Sequence, residues 1–332
     1  MTTKPAPSPE LVFDTVPPAA AAAAAVAVVE FRAVSKWYGQ VIGLNRLSVR
    51  VNPGVTGLLG PNGAGKSTFL QLATGQLCPS QGEVRVLGHR AWNNPPLNRY
   101  IGVCPEQDAF YEWMSGRRFI DFCARLGGLT AAEARAATER VLDQVGMTEH
   151  ADRAIGGYSK GMRQRTKIAQ ALVHDPLVLF LDEPFSGTDP VARHELIRII
   201  QALGASGKSV ILSSHVLHEV EAVTPRVILI HRGKLVAEGH VREIRDLIDG
   251  HPHRIVLKSA NDRALAARLA AFEDVVGLVL ERPEGGILVE TRSPDAFYGR
   301  LADLSLAGAA GIVHVESDDD NLDAVFRYLV SK

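Results

Sequence analysis

The stretch from Gly60 to Thr68 reads GPNGAGKST. Gly60 to Ser67 has the spacing G-x-x-x-x-G-K-[ST]. The apolar runs Val55 to Leu59 before it and Phe69 to Leu72 after it predict a strand entering the loop and a helix leaving it. Such a loop grips phosphate. Gly60, Gly63 and Gly65 let the backbone turn tightly, and with Pro61, Asn62 and Ala64 between them the loop presents its N–H groups inward. A helix beginning near Ser67 aims its partial positive end at the anion. In this geometry Lys66 bridges the β- and γ-phosphates of a nucleoside triphosphate, the Ser67 hydroxyl ligates Mg²⁺ and Thr68 adds a contact near the α-phosphate.

A phosphate loop needs a carboxylate to hold the metal. The segment LVLFLDEP supplies one, because an unbroken apolar run predicts a buried strand that ends in Asp182. Glu183 follows directly and is the candidate general base, the group that takes the proton of an attacking water.

With these motifs in place, the pattern from Val28 to Ile248 resembles the ATPase subunit of an ABC transporter. The resemblance rests on an ordered set of motifs. SKWYGQ resembles the aromatic loop of that family, which implies that Tyr38 stacks on adenine. YSKGMRQR resembles its signature, with Ser159 and Gly161 in the expected places and Lys160 where glycine is common. FSGTDP resembles the D-loop, with Asp189 as its acid and Thr188 where leucine is usual. His215 in ILSSHVLHEVE matches the switch histidine that senses the γ-phosphate and orients Glu183. In IGVCPEQDAF the family usually has glutamine directly after the proline, whereas here Glu106 stands there and Gln107 follows. Either residue could be the Q-loop ligand. The glutamate form, the signature wording and the C-terminal extension resemble the exporter branch.

The resemblance implies an ATPase that uses ATP and Mg²⁺ and works as a dimer, most simply a homodimer. Each ATP would lie between the P-loop of one chain and the signature of the other. It further implies a separate integral-membrane permease as partner and a cytoplasmic chain held at the inner face of the membrane. Phe110, Tyr111, Trp113 and Met114 in AFYEWM follow the Q-loop. They suit either a docking site for a permease helix or packing inside the helical part.

These residues need a frame. Short apolar runs predict strands at Val26 to Phe31, Val55 to Leu59, Val84 to Val86, Val178 to Leu181, Val210 to Leu212 and Val227 to Ile230, with helical patterns between several of them. The expected fold is α/β, a P-loop NTPase core with an antiparallel β subdomain. A helical subdomain lies within 108–171, where RRFIDFCARLGG and AAEARAATERVLDQVG have helical periodicity. The expected division is an Ala/Pro-rich disordered extension over 1–27, the ATPase domain over 28–249 and an accessory domain over 252–332. In the last, strands at Arg254 to Lys258, Val275 to Leu280, Gly286 to Thr291 and Gly311 to Glu316 alternate with helices at Asp262 to Phe272 and Pro294 to Leu304. That is the ferredoxin-like β-α-β-β-α-β order, followed by a closing helix at Asn321 to Leu329 that Asp320 could cap.

Composition narrows the function classes. The 332 residues carry a formal net charge of −1, which argues against a nucleic-acid partner. No apolar run reaches the roughly 18 residues that a membrane span needs. Three cysteines, none in a C-x-x-C pair, argue against a disulfide framework or a zinc site. The run Ala19 to Ala25 follows Glu10 and Asp14 and leads into a strand pattern, so it reads as a retained extension. Two rivals stand beside the transport reading. One is an ABC-type ATPase acting on ribosomes or DNA, against which stand the single P-loop and the lack of sustained heptads. The other is a module that binds ATP without turnover, against which stands the set Asp182, Glu183 and His215.

Overall fold

The computed structural model describes residues 27–241, 252–280, 285–306 and 311–317. The extension, the closing helix at Asn321 to Leu329 and the Asp320 cap therefore lie outside the described residues.

In chain order the first part forms β1 (Val29–Tyr38), β2 (Val41–Val51), β3 (Val55–Leu59), α1 (Lys66–Ala73), β4 (Gln81–Val86), β5 (His89–Arg90) and β6 (Ile101–Cys104). There follow α2 (Gly116–Leu126), α3 (Ala131–Gln144), α4 (Lys160–Leu172), β7 (Val178–Leu181), α5 (Pro190–Ala205), β8 (Ser209–Ser214), α6 (Leu217–Glu221), β9 (Arg226–His231) and β10 (Lys234–His240).

Two sheets arise from these strands. β2-β1-β4-β5 is antiparallel throughout, and β10-β9-β3-β8-β7-β6 is parallel except for the β9–β10 hairpin. The parallel strands are short and apolar because both faces are covered. Leu59, Leu179, Leu181, Val210 and Leu212 enter one core with helices α2 to α5. Leu58, Phe180 and Ile211 enter another with α1 and the antiparallel sheet, where the rings of Phe31 and Phe69 stack at 4.1 Å.

All three helices α2, α3 and α4 fall between β6 and β7, and no strand interrupts them. Their starts follow from local chemistry. Ser115 caps α2, Thr130 and Glu133 form a reciprocal capping box on α3, and Ser159 caps α4.

Several elements differ from expectation. β1 runs on to Tyr38 through register shifts after Phe31, and β2 pairs along it. β2, β6 and β10 carry no long apolar run: β2 and β10 expose polar residues, and β6 spans only four residues. Helices α1 and α4 begin at Lys66 and Lys160, one and two residues earlier than the periodicity places them.

The remaining described residues form β11 (His253–Ser259), α7 (Asp262–Leu269), β12 (Val275–Val279), β13 (Ile287–Thr291), α8 (Pro294–Leu306) and β14 (Ile312–Ser317). Their sheet has the order β12-β13-β11-β14, all antiparallel, around a separate core that includes Leu257, Leu265, Val289 and Phe297.

Candidate active site

Four neighbouring strands, β3, β8, β7 and β6, are parallel, so their C-terminal ends lie along one edge of the sheet. In-register pairs at that edge join Leu59 to Ser214 and Cys104 to Leu181. The loops that leave there begin at Gly60, at His215, at Asp182 and at Pro105. In an open α/β sheet this edge is where ligands bind.

The phosphate loop turns back on itself through its glycines. Gly65 has φ 111° and is the N-cap residue of α1. A Cβ there would lie 2.6 Å from the Gly43 carbonyl, and one at Gly60 would lie 2.4 Å from the Ile230 carbonyl. A side chain at either position would push the loop off the sheet. Lys66 is buried, and its Nζ donates to the Gly60 carbonyl at 2.7 Å and to that of Pro61 at 3.4 Å.

The same ammonium lies 3.2 Å from Glu183 Oε1, while His215 Nδ1 lies 3.0 Å from Glu183 Oε2. Glu183 thus stands between a cation and an imidazole, nearly enclosed. Its backbone is in the left-handed region at φ 47°, a conformation that costs a non-glycine residue about 1 kcal/mol or more. Neighbours hold it there. The Ser213 hydroxyl accepts the Glu183 N–H at 2.9 Å and donates to Asp182 Oδ1 at 2.5 Å, and Gln164 Nε2 donates to the Glu183 carbonyl at 3.4 Å. One buried hydroxyl on β8 therefore fixes both acids at the end of β7.

A cavity of about 580 Å³ opens over this cluster. Asn62, Gly63, Ala64, Gly65, Lys66, Ser67 and Thr68 form one wall, and Glu106, Glu183, Ser186 and His215 another. Tyr38 closes a third side, half-exposed, with its hydroxyl 3.4 Å from Thr68 Oγ1 and the Lys36 ammonium 5.5 Å from its ring centroid. Gly60 and Pro61 reach the site through their carbonyls, which accept from Lys66, and Asp182 is tied to it through Ser213, which hydrogen-bonds to Asp182 and to the Glu183 N–H. Glu106 lines the cavity and also a neighbouring depression, which it shares with Gln107, Asp108, Lys160, Gln164 and Glu183; Gln107 lines only the depression.

Three more expected site residues, Ser159, Gly161 and Asp189, also lie outside the cavity lining. Ser159 accepts the Met162 N–H at 3.3 Å as the cap of α4. Asp189 accepts the Val191 and Ala192 N–H groups at 3.0 and 2.9 Å as the cap of α5. Gly161 lets the two helices meet, since a Cβ there would lie 2.5 Å from that of Ala192. Ser186, Ser213 and Gln164 join the site although the motifs do not single them out. The hydroxyl pair Ser213–Ser214 just before His215 at a strand end is the one sequence signal that marks any of them. Cys104, at the end of β6, contributes no nucleophile, because burial pushes its thiol up to about 12.

Comparison with known proteins agrees with this geometry. The ABC transporter family profile matches residues 44–186. An uncharacterized ABC transporter ATP-binding protein of Bacillus subtilis, YxlF, is 37% identical over 306 residues, 91% of this chain and 99% of the relative. The Nod factor export ATP-binding protein I of Burkholderia pseudomallei is 38% identical over 220 residues, 66% of this chain and 72% of the relative. A solved ATP-binding subunit of an ABC transporter superposes with a TM-score of 0.59 at 28% identity, over 67% of this chain and 93% of that one. The chain belongs to the ABC transporter family as an ATP-binding subunit, and it is an ATPase with the mixed α/β fold of that family's cassettes.

Proposed function

We propose that two copies of this chain close around two ATP molecules and that the opening of this sandwich on hydrolysis drives a separate membrane permease. The observation that carries the reading is the position of Glu183, held between Lys66 and His215 at the mouth of a phosphate loop.

The residues fit a nucleoside triphosphate with its metal. The loop cannot accept side chains at Gly60 or Gly65, and among the described residues Lys66 has carbonyls and Glu183 as acceptors, partners that phosphate oxygens can replace. Ser67, Asp182 and Glu106 offer hard oxygen donors, the type that Mg²⁺ prefers. A bound Mg²⁺ would neutralise charge on the β- and γ-phosphates.

In the reaction Lys66 exchanges Glu183 for phosphate oxygens. Glu183, left with His215, accepts the proton of a water whose oxygen bonds to the γ-phosphorus. The bond from that phosphorus to the bridging oxygen breaks, and ADP keeps the electron pair. His215 orients the carboxylate and reaches the γ-phosphate with its other ring nitrogen. Tyr38 stacks on adenine. Ser159, Gly161 and Asp189 belong to the site of the opposite chain, where the N-terminus of α4 meets the γ-phosphate.

The permease docks beside the Q-loop, where Tyr111 and Trp113 lie exposed, Trp113 by 72%. This places the chain at the inner membrane face, and no described helix is long and apolar enough to cross a membrane. Export is the favoured direction, since the Burkholderia relative is named for export and Glu106 takes the place of the usual glutamine. The described residues from 252 onward belong to an accessory domain with a regulatory or dimer-stabilising role.

The experiment is Glu183→Gln. The variant keeps ATP binding, loses hydrolysis by about 100-fold or more, and accumulates as an ATP-bound dimer by light scattering. Hydrolysis at the parent rate would remove Glu183 as the base.

A further inference from the structure

Lys167, two turns into α4, is only 2% exposed. An ammonium removed from water is tolerated when each N–H meets an acceptor. Here Nζ donates to the Pro105 carbonyl at 2.9 Å and to the Glu106 carbonyl at 2.8 Å, and it lies 3.2 Å from Asp108 Oδ1. An ammonium has three donors, and all three acceptors belong to one loop of four residues. Asp108 faces a stripe on α4, with Lys160 at 3.6 Å and Arg163 at 3.7 Å on its second oxygen. The spacing 160, 163, 167 puts these cations on one side of the helix.

Glu106 sits in the middle of this clasp and is one of the residues that line the cavity with Lys66 and Glu183. Helix α4 also holds the Glu183 carbonyl through Gln164. The helix capped by Ser159 is thus bonded to both carboxylate-bearing loops. An apolar residue at 167 would join the core beside Ile168, Ala169 and Leu172 but would carry no N–H groups. It would leave the loop carbonyls without donors.

We propose that Lys167 and Asp108 form a positioning pair that holds Glu106 at the nucleotide cavity and ties its loop to α4, so that a displacement of α4 reaches Glu106. The inference rests on the reading of Glu106 as a metal-facing group, and its test separates the two. Hydrogen exchange is followed in the full nucleotide-free chain over the peptide spanning 104–110. Lys167→Met should speed exchange there by about tenfold and leave the peptides of β3 and α1 unchanged. It should also raise the Mg²⁺ concentration for half-maximal ATPase by about fivefold with ATP affinity retained. Lys167→Arg should restore most of both. Combining Lys167→Met with Glu106→Gln should add little to the Mg²⁺ shift of either alone.

Should Lys167→Met not fold, Asp108→Asn carries the same test, because the Asp108 carboxylate is partly exposed. Exchange in the loop that stays at the parent rate overturns the pairing, as does a general acceleration across all sheet peptides. Loosened exchange with Mg²⁺ dependence unmoved in Glu106→Gln would support the tie and remove Glu106 from the metal.

Discussion

The ends of β3, β7 and β8 and the N-termini of α4 and α5 use similar residue types in opposite ways. At the strand ends Lys66, Glu183 and His215 point at one another across a cavity, and the backbone of Glu183 is held in an unfavourable conformation to keep them there. At the helix starts Ser159 and Asp189 bond the first N–H groups of their own helices, contacts worth about 1 kcal/mol each to the fold. The first region is organised for chemistry within one chain. The second performs a structural task in the single chain and, in the proposed dimer, would serve the site of the other chain. A serine or aspartate that suits phosphate recognition also suits a cap, so residue type alone does not separate the two roles.

Substitutions can break this contrast at either end. The largest effect belongs to Lys66→Ala, which removes the cation proposed to hold the β- and γ-phosphates. Hydrolysis should fall by about 1,000-fold and nucleotide binding should weaken, read by phosphate release and by titration with a fluorescent nucleotide. Near-normal turnover would dissolve the first region as an active site.

Ser159→Asp comes next and sharpens the contrast directly. Aspartate caps a helix as well as serine does and favours the N-terminal dipole, so the melting temperature should hold or rise. Its charge would face the γ-phosphate of the opposite chain, and hydrolysis should fall by about 100-fold. A variant with parent activity would leave Ser159 a cap and nothing more.

Ser213→Ala has the smallest expected effect. It removes the hydroxyl shared by Asp182 and the Glu183 N–H, contacts worth about 1 to 2 kcal/mol together. Turnover should drop about tenfold at unchanged ATP affinity. A change in affinity alone would mean that the hydroxyl serves binding and not the placement of the base.

What could be read in advance follows the same division. The phosphate loop is a local device whose spacing is its geometry, and Gly60 to Thr68 lie where that spacing places them. Asp182 and Glu183 were legible because a buried strand must end where its apolar run ends. Ser213 was not, since its partners lie 30 and 31 residues away and depend on β7 and β8 being neighbours. Lys167 looks like an ordinary helix lysine until its loop, 61 and 62 residues earlier, folds beneath it. The sequence leaves the choice between Glu106 and Gln107 open because adjacent residues share a loop, and which of them borders the phosphate-loop cavity depends on the backbone path. Strands β2 and β10 give no strand signal because their polar residues break the apolar run.

In the proposed dimer each active site needs the strand ends of one chain and the helix start of another. Mixing the two inactive variants, Lys66→Ala and Ser159→Asp, tests it most directly. A mixed dimer holds one site with an intact Lys66 facing an intact Ser159. The account predicts that phosphate release, negligible for each variant alone, reappears on mixing and is greatest near equal amounts. A mixture as inactive as its components, under conditions where light scattering shows mixed dimers forming, would contradict it.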